Sequence, residues 1–522
     1  MSTDLPSDHG LSGDHGLSRR RFLAGIGASA SLVALRPQGA AATLINKPFA
    51  STSTLGSRFG RIFAIPSFAQ ANSRTQSACL QIGQTGGLLD AKDDLAAGPI
   101  LLITDPTLRV DNPDNPTQTA GVHFLGQFID HDLTLDQVSQ LGVPAVPEQT
   151  TNTRTPALDL DSVYGGGPGV SPQLYNPADP AKFLVGNNGV FEDLPRRADG
   201  TAIIGDPRND ENLMLAGLTC AFLLFHNNVV DLLRSQGKSG VFAAARQLVL
   251  WHYQWIILHQ FLPLNIGQAM VDDIVFGNPQ FFDPFPGAFI PIEFSAAAYR
   301  FGHSQILPSY RANLAGDNGK PFFGMIFSPD AAGQSDPIDL RGGFRAPRRF
   351  IGWQTFFDFG GSQTANVKPN KLIDTSISTP LFQLPPAAIV GGQPPVSLMQ
   401  RDLLRHLTWS IPSGQDIAQY MGAPIMDASF FPELKPFGFD ASTPLMYYVM
   451  REAAEVNNGT FLGPVGGRIV GETIIGLMLV DPGAFLNTNP TWTPTLPGTT
   501  PGDFTMSDLL RFAKVDPASR GQ

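Results

Sequence analysis

Two stretches of this chain are apolar almost without interruption and long enough for several helical turns. Glu211 to Arg234 (ENLMLAGLTCAFLLFHNNVVDLLR) predicts a long, largely buried helix, and Gly240 to Phe261 (GVFAAARQLVLWHYQWIILHQF) predicts a second. The second is expected to stop at Leu262-Pro263, because proline disfavours helical backbone in the residue before it. Shorter helical patterns fall at 122–133, 294–305, 398–408 and 414–421. Period-2 alternation is scarce and no internal repeat is visible, so the pattern predicts a mainly α-helical protein. With 54 glycines and 45 prolines, its connections should be long and irregular. Residues 43–95, rich in Ser, Gly and Ala, are expected to wrap the surface, and Pro490 to Pro501 reads as a Pro/Thr loop.

The apolar run Ala24 to Leu35 has a different meaning. It follows Ser18-Arg19-Arg20-Arg21-Phe22-Leu23 and precedes Gly39-Ala-Ala-Ala42. A twin-arginine region, a short apolar stretch and a small-residue cleavage zone predict a Tat-type export signal over residues 1–42. That in turn implies a bacterial host and a periplasmic or secreted protein. Loss of the segment removes four arginines and three aspartates, His9 and His15 with them, and moves the net charge from −10 to −11. An acidic chain without a basic block argues against a nucleic-acid partner. After the signal, no run approaches 18 apolar residues free of charge, so no stable membrane span is expected. The two cysteines, Cys79 and Cys220, are too few for a disulfide framework. Cys220 lies in an apolar helix and reads as a small buried hydrophobe.

One of the shorter helices carries chemistry. Phe124-Leu-Gly-Gln-Phe-Ile-Asp-His-Asp-Leu-Thr134 sets Gln127, Asp130, His131 and Asp132 into an apolar segment. Residues three and four apart share a helical face, so Gln127, Asp130 and His131 point towards one pocket and Asp132 addresses a neighbouring site. Downstream, Thr155-Pro-Ala-Leu-Asp159-Leu-Asp161 places oxygen at alternate positions. If the loop is extended, the Thr155 hydroxyl, the Ala157 carbonyl and the Asp159 and Asp161 carboxylates face one side. With Asp132 they would offer calcium three carboxylates among its oxygen ligands. Three further segments stand out: Gly205-Asp-Pro-Arg208-Asn-Asp-Glu211-Asn212, Tyr299-Arg300-Phe301-Gly302-His303-Ser304, and Leu398-Met-Gln-Arg-Asp402-Leu-Leu-Arg405 running to Ile411-Pro-Ser-Gly414. His226, His252 and His259 show no metal-ligand spacing and are assigned to buried helix networks.

These five segments, in this order, resemble the animal-type haem peroxidases of the peroxidase–cyclooxygenase superfamily. The resemblance runs from about Gly126 to Gly414. It implies a single large helical haem-peroxidase domain, placed here at about 60–515, holding haem b and calcium. It makes His131 the distal histidine, Gln127 its companion at the distal water or halide position, and Arg208 the distal arginine. His303 becomes the proximal ligand to the haem iron, with Arg300 and Arg405 placed for the propionates. Asp130 and Glu211 match carboxylates able to form esters to haem methyls. The calcium of this family is tied to the residue beside the distal histidine, here Asp132. Two departures matter. Where myeloperoxidase-like members carry methionine, this chain has Asn212, so no sulfonium link to haem is expected. Where the family has asparagine beside the proximal histidine, this chain has Asp402, which should push the imidazole towards imidazolate.

The activity so implied is peroxide-dependent oxidation of small donors: phenolic or aromatic compounds, a halide or thiocyanate. Two alternatives compete with it. A haem fatty-acid dioxygenase of the same superfamily would place a radical tyrosine three residues before the proximal histidine, but Arg300 stands there and Tyr299 is four before. A secreted, non-catalytic adhesion scaffold would not need His131, Arg208 and His303 together.

Overall fold

The computed structural model describes residues 58–343 and 346–522. The export signal at 1–42 and residues 43–57 of the wrapping segment lie outside them. Within the described residues the chain forms one helical domain around one continuous apolar core. The wrapping segment contains a helix, α1 (Ser73–Ile82), started by a capping box in which Asn72 accepts from the Arg74 and Thr75 amides. The strands are short and form five two-stranded sheets; Asp114–Thr119 pairs antiparallel with Pro369–Lys371, and Ser309–Asp317 pairs with Lys320–Met325.

Three helices form the centre. α2 (Ala120–Leu133) is buried at every position except Gln127. α3 (Leu213–Ser235) starts two residues later than the apolar pattern suggests, because the Asn212 side chain caps it by accepting from the Leu215 amide. By length and composition α3 is able to cross a membrane, but 78% of its apolar window is buried inside the protein, so it is a core helix. α4 (Val241–Ile256) does not run on to Phe261 as a regular helix. It passes into a π-helical turn, Ile257–Phe261, and then into a short helix, Leu262–Ile266. Pro263 therefore does not end the element; it sits in the first turn of the next one, where its missing N–H costs nothing. Phe128 of α2 stacks on Phe222 of α3 at 4.6 Å, and Tyr253 of α4 meets both edge-on at 6.2 and 5.6 Å. Such aromatic pairs add about 0.5–1.5 kcal/mol each beyond their buried area.

The pattern over 294–305 resolves into a short helix, Ile292–Ser295, and an eight-residue 3-10 segment, Ala298–Gln305. α5 (Leu398–Thr408) packs against α1, and α6 (Gly414–Met421) follows it; both keep the expected bounds. α7 (Leu445–Asn457) and α8 (Pro464–Val480) close the molecule behind the 3-10 segment. Cys79 and Cys220 are both buried and unbridged. His226 and His252 sit in buried hydrogen-bonded networks as expected, but His259 does not. It is exposed, because the π turn swings its ring onto Trp255 at 3.8 Å.

Candidate active site

A cavity of about 1460 Å³, its open mouth included, lies between α2, the turn before α3, the 3-10 segment and α5. Gln127, Asp130, His131, Arg208, Glu211, Arg300, His303, Asp402 and Arg405 all line it. Residues far apart in the chain thus meet on one space.

One wall comes from α2 and the turn before α3. His131 is buried, and burial together with the Arg208 charge pulls its pKa down to about 4, so the imidazole is neutral at neutral pH. Its Nδ1 lies 2.9 Å from the Asn209 carboxamide oxygen. Arg208 is gripped by Asp206: its Nε donates at 3.0 Å and one terminal nitrogen at 2.8 Å to the two carboxylate oxygens. That same terminal nitrogen also donates to the His131 carbonyl at 3.2 Å. Burial would raise Asp206, but Arg208 outweighs it and holds the carboxyl at about 2. Asp130 is likewise lifted by burial and then held below the usual carboxylate range by Arg300 and Arg208, at 3.8 and 4.0 Å. Glu211 behaves in the opposite way. Burial pushes it up to about 8, so it is a neutral acid at neutral pH. Gln127 joins the two halves of this wall, donating to Glu211 at 3.1 Å and accepting from Asn212 at 3.2 Å.

Another part of the lining carries His303 on the 3-10 segment. Its Nδ1 lies 2.7 Å from an Asp402 carboxylate oxygen. Burial acts to raise Asp402, and the neighbouring His303 and Arg300 hold it ionised. Arg401, one residue away, does not compete for Asp402; it donates to the Gln393 and Pro395 carbonyls. Tyr299 borders the same space, its hydroxyl donating to the Gly126 carbonyl at 3.1 Å.

Two observations test whether a haem suits this cavity. Arg405 is half-buried beside Arg300, and desolvation drives its pKa down to about 10. Among the described residues no hydrogen bond or close ion pair holds its guanidinium, so it calls for an anion such as a propionate. Gly302 precedes His303 on the cavity wall, and a Cβ placed there would meet nothing closer than 3.6 Å. Protein packing alone does not demand glycine at 302, and the space it leaves beside His303 is open to a flat ligand. The residues present fit the group.

The acidic site lies on the far side of α2. Asp132, Asp159 and Asp161 bring carboxylate oxygens within 4.8 Å of one another. The loop that does this is not extended. Leu160 is in the left-handed region (φ 56°), and the chain folds back so that the Thr155 amide donates to Asp161 at 3.1 Å. The Thr155 hydroxyl donates to Asp159 at 2.8 Å, and Ala157 lies between them in the same loop. Arg154 and Arg246 flank Asp161 and Asp159, whereas Asp132 meets the Ser162 and Tyr253 hydroxyls and the Leu160 backbone amide. Burial raises all three acids, and repulsion from the neighbouring aspartates adds to it at Asp132 and Asp161, Asp161 reaching about 6. Three clustered carboxylates in this state favour a hard cation.

Asp206 and Asn209 were not singled out from the sequence. Each is a short polar residue at a helix start, where capping explains it equally well. The only signal was their position either side of Arg208.

The described residues thus form a helical domain in which two histidines far apart in the chain, His131 and His303, line one cavity. The animal haem peroxidase model matches residues 136–385. This span includes Arg208, Glu211 and His303; it begins after His131 and ends before Asp402. The chain is 28% identical over 181 residues to a peroxidasin homolog (pxn-1) of Caenorhabditis elegans, covering 30% of this chain and 14% of that protein. It is 28% identical over 189 residues to thyroid peroxidase of Mus musculus, covering 32% of this chain and 21% of that protein. The chain thus spans about a fifth or less of the length of these curated relatives. Among solved structures, peroxidase A of Dictyostelium discoideum aligns with a TM-score of 0.55 at 16% identity, over 83% of this chain and 89% of that one. Residues 136–385 thus carry an animal haem peroxidase domain.

Proposed function

We propose that this protein is a haem-dependent peroxidase that uses hydrogen peroxide to oxidise small donors. The carrying observation is one cavity lined both by neutral His131 with Arg208 and by His303 with Asp402. His303 would ligate haem b, Arg405 and Arg300 would face the propionates, and Asp130 and Glu211 are the carboxyls available for ester links. Bound there, haem would supply the electrons that cleave the peroxide O–O bond.

The protein's own part is proton handling and charge stabilisation. His131 accepts a proton from one peroxide oxygen and delivers it to the other, as general base and then general acid. Its neutrality at neutral pH is what the first step requires. Arg208, fixed by Asp206, stabilises negative charge on the departing oxygen. Asp402 accepts the Nδ1 proton of His303 and strengthens that imidazole as a ligand. Donors of the phenolic or aromatic class, a halide or thiocyanate would then return the electrons. Asn212 offers no sulfur for a sulfonium link. Asp132, Thr155, Ala157, Asp159 and Asp161 would hold calcium and so brace the helix carrying His131.

Tyr299 favours a second reading, a fatty-acid dioxygenase, because its ring lies on the cavity wall with the hydroxyl on Gly126. Purified protein loaded with haem should show a Soret band that changes on adding hydrogen peroxide and reverts with a phenol. A Soret band indifferent to peroxide, together with oxygen uptake on polyunsaturated fatty acid, would instead favour the dioxygenase. Absence of haem uptake would leave a binding scaffold.

A further inference from the structure

Asn209 touches the His131 imidazole at Nδ1, which leaves Nε2 as the ring nitrogen open to the cavity that His131 lines. Its carboxamide oxygen is 2.9 Å from His131 Nδ1, and both side chains are buried. A carbonyl oxygen accepts and never donates, so this contact places the imidazole proton on Nδ1. Nε2 then keeps its lone pair for the cavity. Turned the other way, the amide would donate to Nδ1, force the proton onto Nε2 and remove the base.

The amide is also held at a cost. Its Nδ2 finds no partner among the described residues, and a buried unsatisfied donor is destabilising. An apolar residue would fill the space without that penalty, so packing alone does not explain asparagine here. The backbone around it is rigid. Pro207–Asp210 is a 3-10 turn in which the Asn209 amide donates to the Asp206 carbonyl at 3.0 Å. The Asp206 carboxylate accepts from the Arg208 amide at 2.9 Å, and Arg208 ties the turn to the His131 carbonyl. One short turn thus presents a guanidinium and an acceptor oxygen to the same histidine.

We propose that Asn209 is a positioning residue that fixes the tautomer of His131, so that Nε2 is the base in the cavity; this rests on the peroxidase reading above. The test is cyanide binding, because hydrogen cyanide must lose its proton to a base as it binds iron, without turnover. Wild type, Asn209→Leu and Asn209→Asp are loaded with haem and compared at one neutral pH by stopped-flow at the Soret band. The leucine removes the acceptor at similar volume, and the aspartate keeps an acceptor that cannot donate when ionised. Asn209→Leu should bind cyanide at least about ten-fold more slowly, while Asn209→Asp stays within about three-fold of wild type. Wild-type rates in Asn209→Leu would overturn the proposal, as would equal slowing in both variants, which would mark a packing role. If Asn209→Leu takes up no haem, Asn209→Ala is read against the same limits. A wild type that takes up no haem overturns the peroxidase reading and this proposal with it; a wild type that binds haem and cyanide while Asn209→Leu matches it overturns the tautomer proposal alone.

Discussion

At the scale of the residue, the partner of a histidine decides what the histidine does. His303 meets a carboxylate where the family resemblance leads one to expect an amide, and at 2.7 Å the Asp402 charge bears directly on the ring. An anionic partner makes the imidazole a stronger donor and stabilises the oxidised metal. Asp402→Asn should therefore raise the Fe(III)/Fe(II) potential of the haem-loaded protein in a spectroelectrochemical titration. An unchanged potential would mean that the carboxylate does not tune the ligand. Arg208 makes a comparable point on the other wall. Its two-point grip on Asp206 needs the planar guanidinium fork, which lysine lacks. Arg208→Lys should slow the reaction with peroxide on the order of a hundred-fold, as expected for loss of a preorganised charge-stabilising donor, with haem content unchanged.

At the scale of the element, α2 serves two sites from two faces. Gln127, Asp130 and His131 address the cavity, and Asp132 addresses the acidic loop. A cation at that loop would brace the helix that carries the base. Treatment with a calcium chelator should lower the thermal midpoint, and calcium should restore it while magnesium, which demands tighter octahedral geometry, should not. A chelator-insensitive midpoint would remove the cation from the account. α6 shows a tighter dependence on shape. A Cβ on Gly414 would fall 2.0 Å from the buried Tyr448 ring. Gly414→Ala should cost roughly 1–3 kcal/mol or more in denaturant unfolding, the range for overpacking a filled core.

At the scale of the whole molecule, three buried histidines set a limit in acid. His226 takes the Tyr164 hydroxyl at Nδ1 and gives Nε2–H to the Ala181 carbonyl; His252 gives Nδ1–H to the Leu248 carbonyl and accepts the Leu496 amide; His406 gives Nδ1–H to the Asp402 backbone carbonyl and accepts the Met446 amide. Each is satisfied as a neutral ring, and burial pulls each pKa from 6.5 down to about 4. The unfolded chain therefore binds more protons than the folded one between those values, so stability rises with pH. The contribution is full above 6.5 and is lost as pH falls through about 4, roughly 3 kcal/mol per histidine as an upper bound. Chemical denaturation at stepped pH should show this loss of stability on acidification. His252→Gln, which cannot charge, should flatten part of the slope.

The sequence by itself determined the helical class, the main helices and the family, because these are written locally. Apolar periodicity marks α5 and α6 to the residue and α2 to within two residues at its start, and five short motifs keep their order along the chain. It also brought His131, Arg208 and His303 forward, since each stands in a distinctive contiguous segment. What depends on a partner far along the chain had to wait for tertiary structure. The π turn after α4 follows from how the chain packs beyond Ile256, and it exposes His259 against expectation. The acidic loop converges because Leu160 turns left-handed, where an alternating pattern suggested an extended strand. Asp206 and Asn209 resemble ordinary helix caps until the fold sets one on Arg208 and the other on His131. A side chain's type is local information, but its hydrogen-bond partner is a distance in space, and only the packed chain supplies that distance.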